Sequence, residues 1–190
     1  MRSLIAAVAL LASTSLPALA ATTSGIDLGG QGGDAESYSF DTGFGPKVTI
    51  RALGWWTEVS QNAAGLGVDS WYDLGNDQIN ALEGLSFSFS EKVRLNSVTF
   101  SGFDRWDTYG IYVSVGDGRL SDDIITLGSD NPFSFGGVVS DYFKVAALGP
   151  LDSFRVASLE VAPVPLPGAG LLLLGGLGGF AVLRRRKRSA

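Results

Sequence analysis

The sequence predicts an all-β domain over residues 21–163, a single antiparallel β-sandwich of jelly-roll type. Three observations lead to this prediction. Apolar residues recur at every second position in several short runs, and turn-forming Gly, Asp and Asn residues separate those runs. No segment of ten or more residues has the 3.6-residue period of a helix. Seven or eight short strands in about 140 residues are typical of a β-sandwich.

The first strand of this set follows a glycine-rich entry. Residues 22–36 contain so many glycines that a flexible loop is predicted there. Val48, Ile50 and Ala52 then alternate with polar residues, which predicts a strand that continues toward Trp55.

The second strand has the clearest alternation in the chain. Leu85, Phe87 and Phe89 alternate with serines, which predicts a strand with one buried face and one polar face. The charged pair Glu91 and Lys92 predicts a turn after it.

A change of phase marks the next strand. Apolar residues alternate at Val93 and Leu95, and the alternation restarts out of phase at Val98 and Phe100. Because one inserted residue shifts the two-residue period, we predict a β-bulge at Asn96-Ser97. Further strands are predicted at residues 111–115, 124–127, 142–148 and 154–161.

The amino terminus has the three parts of a secretory signal peptide. Arg2 is basic, residues 4–11 are apolar, and Ala18-Leu19-Ala20 has the small-x-small form of a cleavage site. We therefore predict a signal peptide over residues 1–20 with cleavage after Ala20, and an exported protein.

Charge and composition exclude several functions for residues 21–163. Arg2 and five basic residues near the carboxyl end leave eight Lys and Arg against 19 Asp and Glu, a net charge of −11. Nucleic-acid binding needs a basic face and is not expected. The chain has no Cys and no His, which excludes disulfides, cysteine nucleophiles, His-dependent triads and His-ligated metals.

The carboxyl-terminal region 164–190 combines a proline motif, an apolar run and a basic block. Residues 168–183 carry no charge, and a helix of that length spans about 24 Å. Pro165 and Pro167 suit only the first turn of such a helix. The basic block, whose positive charge is expected to stay on the cytoplasmic side, consists of Arg184, Arg185, Arg186, Lys187 and Arg188. The prediction is a transmembrane helix with its carboxyl end inside and residues before 164 outside.

This layout resembles the PEP-CTERM class of bacterial sorting signals, and it is closest to the variant spelled Val-Pro-Leu-Pro-Ala. The corresponding residues are Val164, Pro165, Leu166, Pro167 and Gly168, with Gly in place of the final Ala. The resemblance implies a partner, an exosortase-type membrane peptidase, that cuts near the motif. The product is then released or re-attached at the cell surface or in the extracellular matrix. Members of this class often accompany exopolysaccharide production. The alternative is a permanent single-pass anchor.

The middle of the chain also resembles ectodomains found with this tail, whose sandwich is similar to carbohydrate-binding modules. The residues that carry this resemblance are the runs at 65–68, 76–80, 83–89 and 93–100, together with Asp104.

An acidic loop over residues 69–83 contains oxygen ligands suited to calcium. Asp69, Asp73 and Asp77 are the candidate ligands of a structural calcium, without the spacing of an EF-hand. The alternative is a solvated acidic turn.

Exposed aromatic residues beside carboxylates suit the binding of sugars. Trp106 lies between Asp104 and Asp107, so the indole could stack on a sugar ring while the acids accept hydrogen bonds from hydroxyls. The alternative is that Trp106 packs in the core or at its edge. Adjacent Trp55 and Trp56 would face opposite sides of a strand, so both are not expected in the core.

Enzymatic activity is not expected. Asp104 and Asp107 form the nearest carboxylate pair for glycoside hydrolysis, but if both lie in a strand they point to opposite faces, which is unfavourable. The predicted function is that of an exported structural or adhesive protein with exopolysaccharide as a candidate ligand, or else an anchored membrane protein with a ligand-binding ectodomain.

Overall fold

The computed structural model describes residues 22–71, 77–80, 83–115 and 123–165. Within these ranges the protein is all-β, with antiparallel pairing throughout and no helix. The described strands are β1 (Ser24–Asp27), β2 (Gly33–Ala35), β3 (Tyr38–Asp41), β4 (Lys47–Leu53), β5 (Thr57–Asn62), β6 (Gly65–Ser70), β7 (Gly84–Ser101), β8 (Tyr109–Ser114), β9 (Asp123–Gly128), β10 (Phe133–Ser134), β11 (Val139–Ala147) and β12 (Arg155–Pro163).

The long strand β7 organises the sheet. Its first half, residues 84–89, lies between β4 and β11, and its second half, residues 93–101, lies beside β12 with the short β10 on the other side. The path of paired strands runs β2-β5-β6-β12-β7-β11-β8-β9, while β1 pairs with β12 and β3 pairs with β4. Strand β11 also pairs with Val93 and Arg94, so the two halves of β7 share β11 and differ in their other neighbours.

The predicted alternation on β7 is confirmed except at Ser86. Leu85, Phe87 and Phe89 are buried, and Ser88 and Ser90 are exposed, but Ser86, the serine between Leu85 and Phe87, is buried as well. The same period places Val48 and Ile50 of β4 and Ile111 and Val113 of β8 in the core. Phe87 stacks on Phe143 of β11 with 4.4 Å between ring centroids. One hydrophobic cluster thus collects the inward residues of the strands.

The predicted bulge at Asn96-Ser97 is confirmed. Leu95 pairs with Val161 and Ser97 pairs with Glu160, which are neighbours on β12, so Asn96 is the extra residue of β7. This extra residue restores the inward direction for the apolar positions that follow it.

The predicted turn at Glu91 and Lys92 is wrong. Strand β7 continues through both residues, and their side chains are exposed. The ladder with β11 is instead irregular here, because Ser88 pairs with Tyr142 while Val93 pairs with Ser140. More residues of β7 than of β11 lie between these two pairs, so β7 bends outward without ending.

Three other expectations need correction. The glycine-rich segment 22–36 contains β1 and β2 and is not simply a loop. Strand β4 ends at Leu53, so Trp55 and Trp56 lie in the turn before β5 and not on a strand. Strands β5 and β6 were not predicted. In β6 the glycines Gly65 and Gly67 interrupt the apolar pattern.

Both predicted targeting segments fall outside the described residues. These are the signal peptide at 1–20 and the transmembrane helix at 168–183 with its basic block. In the described part of the chain there is no helix long and apolar enough to cross a membrane.

Candidate ligand-binding site

All four tryptophans of the chain are exposed. The solvent-exposed fraction is 88% for Trp55, 84% for Trp56, 71% for Trp71 and 72% for Trp106. Tryptophan is the largest apolar side chain, and leaving it in water gives up a considerable hydrophobic contribution to folding. Core packing, one of the alternatives for Trp106, is therefore wrong, and neither Trp55 nor Trp56 is in the core, whereas Tyr109 is fully buried.

Strand register places the four tryptophans at one end of the sheet. Thr57 pairs with Ser70, so Trp56 and Trp71 are the next residues outward on the same ladder. Ser70 Oγ donates a 2.5 Å hydrogen bond to Glu83 Oε1, just before β7 begins.

The neighbouring ladder brings Trp106 to the same end. The backbone N–H of Ala147 donates to Glu83 O at 3.0 Å, and Ala147 pairs with Tyr109, the first residue of β8. Trp106 lies three residues before Tyr109. We call this region the tryptophan end and define it by Trp55, Trp56, Trp71 and Trp106. Exposed Leu148 and Leu151 follow β11 at the same end.

Trp56 has a backbone conformation that does not favour a bulky residue. Its φ is 62°, in the left-handed region, and it follows Gly54 at φ 133° in the turn between β4 and β5. This conformation costs roughly 1–2 kcal/mol for a non-glycine residue. Because the indole is also exposed, packing within the domain does not account for a tryptophan at this position.

Trp106 is presented by a turn that two carboxylates hold. Asp104 Oδ1 accepts a 2.7 Å hydrogen bond from Trp106 N, and Asp107 Oδ2 accepts a 2.6 Å hydrogen bond from Asp104 N. The guanidinium carbon of Arg105 lies 4.6 Å from the centroid of the Trp106 ring. This cation–π contact covers one face of the indole and fixes its direction.

The structure thus brings together Trp106, Asp104 and Asp107, and it gives them different surroundings. Asp107 is 4% exposed, and its Oδ1 accepts a second backbone hydrogen bond, from Ser153 N at 3.0 Å. Asp107 therefore braces the turn from inside the protein, whereas the indole is on the surface. The predicted glycan contact of these three residues stays a prediction.

A second buried carboxylate, which the sequence reasoning missed, joins this turn to the loop after β11. Asp152 accepts hydrogen bonds from Thr108 N at 3.1 Å and from Thr108 Oγ1 at 2.8 Å, and also from Leu148 N at 3.0 Å and from Gly149 N. Burial by itself raises the pKa of Asp152, but the hydrogen bonds from Gly149, Thr108 and Leu148 lower it by more, so the net shift is downward. The Gly149-Pro-Leu-Asp152 sequence was a turn signal that pointed to this brace.

The predicted calcium ligands are only partly described. Asp69 lies on β6 opposite Glu58, Asp77 lies 3.9 Å from the guanidinium of Arg155, and Asp73 is outside the described residues. Among the residues that the structure describes, no three acidic side chains are grouped so as to hold a metal ion. Calcium binding stays a prediction.

The sorting residues are mostly outside the described ranges. Val164 and Pro165 follow β12 directly and are exposed. The remaining predicted residues lie outside the described part: Ala18, Ala20, Leu166, Pro167, Gly168, Arg184, Arg185, Arg186, Lys187 and Arg188.

Comparisons with protein-family models, with curated protein sequences and with solved structures find no match to this chain.

Proposed function

We propose that this chain is an exported, structural or adhesive protein of the bacterial cell surface or extracellular matrix. Its domain over residues 21–163 binds exopolysaccharide through the tryptophan end. The exposure of all four tryptophans at one end carries this proposal. Indole rings pack on the apolar face of a sugar ring, and they lose little conformational entropy on binding.

The finer architecture that we propose is a β-sandwich of jelly-roll type. The two halves of β7 would belong to its two layers, since in the described pairing β4 joins the first half, whereas β12 and β10 join the second. Ring contacts support this arrangement, because Phe100 of the second half lies 4.8 Å from Tyr109 of β8, a strand on the β11 side of the first half. Sandwich ends are where loops from both layers meet, which suits a binding surface made of several loops.

We also propose that the tail is a sorting signal of the PEP-CTERM class. The motif at 164–168, the apolar run at 168–183 and the basic block at 184–188 support it. The chain would pass through the inner membrane as a transient single-pass intermediate, with its carboxyl end inside, and an exosortase-type peptidase would then cut near Pro167. The alternative function is that of a permanently anchored membrane protein whose ectodomain binds the ligand.

Intact mass spectrometry of the protein recovered from producing cells separates these two fates. Sorting predicts the loss of residues 1–20 and of the region after the proline motif. A mass that retains the basic block supports the permanent anchor and contradicts sorting.

The proposed binding is tested by affinity electrophoresis through gels that contain polysaccharide extracted from the matrix of producing cells. The probe is the full chain in a detergent without a sugar headgroup. Trp106→Ala is expected to weaken retention about 30-fold, which corresponds to about 2 kcal/mol for an aromatic hot spot.

The matched control is Ile125→Ala. Ile125 is 60% exposed on β9, so the change removes exposed apolar area without touching an indole. Equal retention of the wild type in gels with and without polysaccharide would contradict the proposal, and so would an equal loss in both variants.

We do not propose an enzymatic function. The carboxylates nearest to Trp106 accept backbone hydrogen bonds that shape the turn. Turnover of a polysaccharide panel that Asp104→Asn abolishes would overturn this part of the proposal.

A further inference from the structure

A polar pocket of about 400 Å³ is joined to the turn of Trp106 through Ser153, which donates hydrogen bonds to Gln78 of the pocket and to Asp107. The turn between β5 and β6 contributes to its wall, at the opposite end of that ladder from Trp56 and Trp71. Its volume is within the usual range for small-molecule sites. The pocket is lined by Asn62, Ala64, Asp77, Gln78, Ser101, Gly102 and Arg155.

Arg155 is the buried cation of this pocket. Its side chain is 6% exposed, and Nη1 donates to Ser60 O at 3.2 Å and to Gly65 O at 3.4 Å. Nη2 lies 3.9 Å from Asp77 Oδ2, which is beyond hydrogen-bond distance. Among the described residues Nη2 has no acceptor within hydrogen-bond distance. The Nη1 side of the guanidinium thus bonds to the backbone of β5 and β6, and the Nη2 side is available to a ligand.

A hydroxyl group fits between Arg155 and Asp77. An oxygen about 2.8 Å from each atom is compatible with their separation, and a hydroxyl can accept from Nη2 while it donates to Asp77 Oδ2. A carboxylate can accept from Nη2 but cannot donate to Asp77. It would also meet the charge of Asp77 in a domain whose net charge is −11. The arrangement therefore favours a neutral, hydroxyl-bearing ligand over an anion.

Two amide side chains of the pocket are oriented by internal hydrogen bonds. Asn62 Oδ1 accepts from Ala64 N at 2.8 Å, and Gln78 Oε1 accepts from Ser153 Oγ at 2.5 Å. Each amide oxygen thus already accepts a hydrogen bond, and the amide nitrogens, Asn62 Nδ2 and Gln78 Nε2, are left as donors for a ligand. Neither nitrogen donates a hydrogen bond to another described residue. Both can donate to further hydroxyl oxygens in the pocket.

We propose that this pocket binds one neutral sugar residue. One hydroxyl bridges Arg155 Nη2 and Asp77 Oδ2, and adjacent hydroxyls accept from Asn62 Nδ2 and Gln78 Nε2. The inference rests on the proposed polysaccharide binding and adds a site that recognises the hydroxyls of a single unit. The tryptophan end supplies stacking area, whereas this pocket supplies hydrogen-bond selectivity.

The test measures binding of free glucose, galactose, mannose and glucuronate to the full chain by saturation-transfer NMR. The full chain is kept in the same sugar-free detergent. The informative variants are Asn62→Asp and Gln78→Glu. Each keeps the oxygen that makes the internal hydrogen bond and replaces the donor nitrogen by an acceptor. Each is expected to weaken binding of a neutral sugar about tenfold or more.

The matched control is Asn96→Asp, the same chemical change in the β7 bulge. Its affinity for the sugar is expected to stay within about twofold of the wild type, since the bulge lies roughly 16 Å along the strand from Ser101. Equal melting temperatures of the three variants and the wild type show that altered binding reflects the pocket and not unfolding.

The outcomes separate this inference from the function on which it rests. Binding of glucuronate without any neutral sugar would overturn the assignment of a hydroxyl-bearing ligand. Polysaccharide retention that responds to Trp106→Ala but not to Asn62→Asp or Gln78→Glu would overturn the pocket and leave the tryptophan end intact. Absence of binding to every sugar and to the polysaccharide would overturn both.

Discussion

Replacement of Asp152 by Asn tests whether a buried carboxylate braces the tryptophan end. The carboxylate receives two hydrogen bonds from Thr108 and one each from Leu148 and Gly149. An amide has one oxygen, so Asn can replace the oxygen that faces three of these donors but then turns its NH₂ toward Thr108 N. The variant loses one hydrogen bond to a charged acceptor and weakens three others. We expect a loss of about 2–3 kcal/mol in the free energy of unfolding.

The pH dependence of this loss gives the sharper test. The pKa of Asp152 is lowered in the folded protein relative to the unfolded chain, where an Asp carboxyl has a pKa of about 3.9. The stabilisation is therefore present above that pH and is lost as the pH falls through the folded-state pKa. The difference between wild type and Asp152→Asn should be full at pH 7 and should shrink below about pH 4.

Denaturant unfolding followed by far-UV circular dichroism measures both quantities. Circular dichroism is preferred because the exposed tryptophans report weakly on core unfolding. Asp130→Asn, a change at an exposed carboxyl, is the matched control and should stay within about 0.5 kcal/mol of the wild type. A difference that is constant from pH 7 to pH 3, or a variant as stable as the wild type, would refute the reasoning.

Three further predictions concern the core, a close backbone contact and calcium. Phe87→Ala removes a ring that stacks on Phe143 in the core and should cost about 3–5 kcal/mol in a urea titration, whereas a cost below 1 kcal/mol would contradict the packing. Gly67→Ala adds a Cβ that overlaps the carbonyl oxygen of Asp77, so the free energy of unfolding should fall by about 1–3 kcal/mol in the same assay. An unchanged free energy of unfolding would contradict this close contact. A structural calcium predicts a higher melting temperature with calcium than with chelator, and an unchanged midpoint would exclude it.

The sequence predicted those parts of the fold in which strand geometry lets a side chain point only toward the core or toward solvent. Alternation at Leu85, Phe87 and Phe89 identified the buried face of β7, and the phase change after Leu95 located the bulge at Asn96. Both signals depend on the two-residue period of a strand, which neighbouring segments do not alter.

Other features depend on what lies across the sheet and were missed for that reason. Strand β6 is buried over Gly65–Val68 on both faces, so its residues do not alternate. A Cβ at Gly65 would meet Val156 and one at Gly67 would meet Asp77, residues that are distant in the sequence. Their glycines resemble those of a turn until the partner strand is known.

The candidate site was predictable only in part. Trp106 between two aspartates indicated an exposed indole, and its exposure agrees with that interpretation. The location of all four tryptophans at one end depends on strand register, which sequence patterns do not specify. The strands concerned are β4, β5, β6, β7, β8 and β11. The role of Arg155 depends on burial beside Asp77, and nothing in its local sequence indicates that burial.

Retention of the full chain in gels containing matrix polysaccharide tests the central claim most directly. The account predicts that the wild type is retarded, that Trp106→Ala migrates nearly as it does without polysaccharide, and that Ile125→Ala behaves as the wild type does. A wild type that migrates identically in the two gels would contradict the claim that the tryptophan end binds polysaccharide.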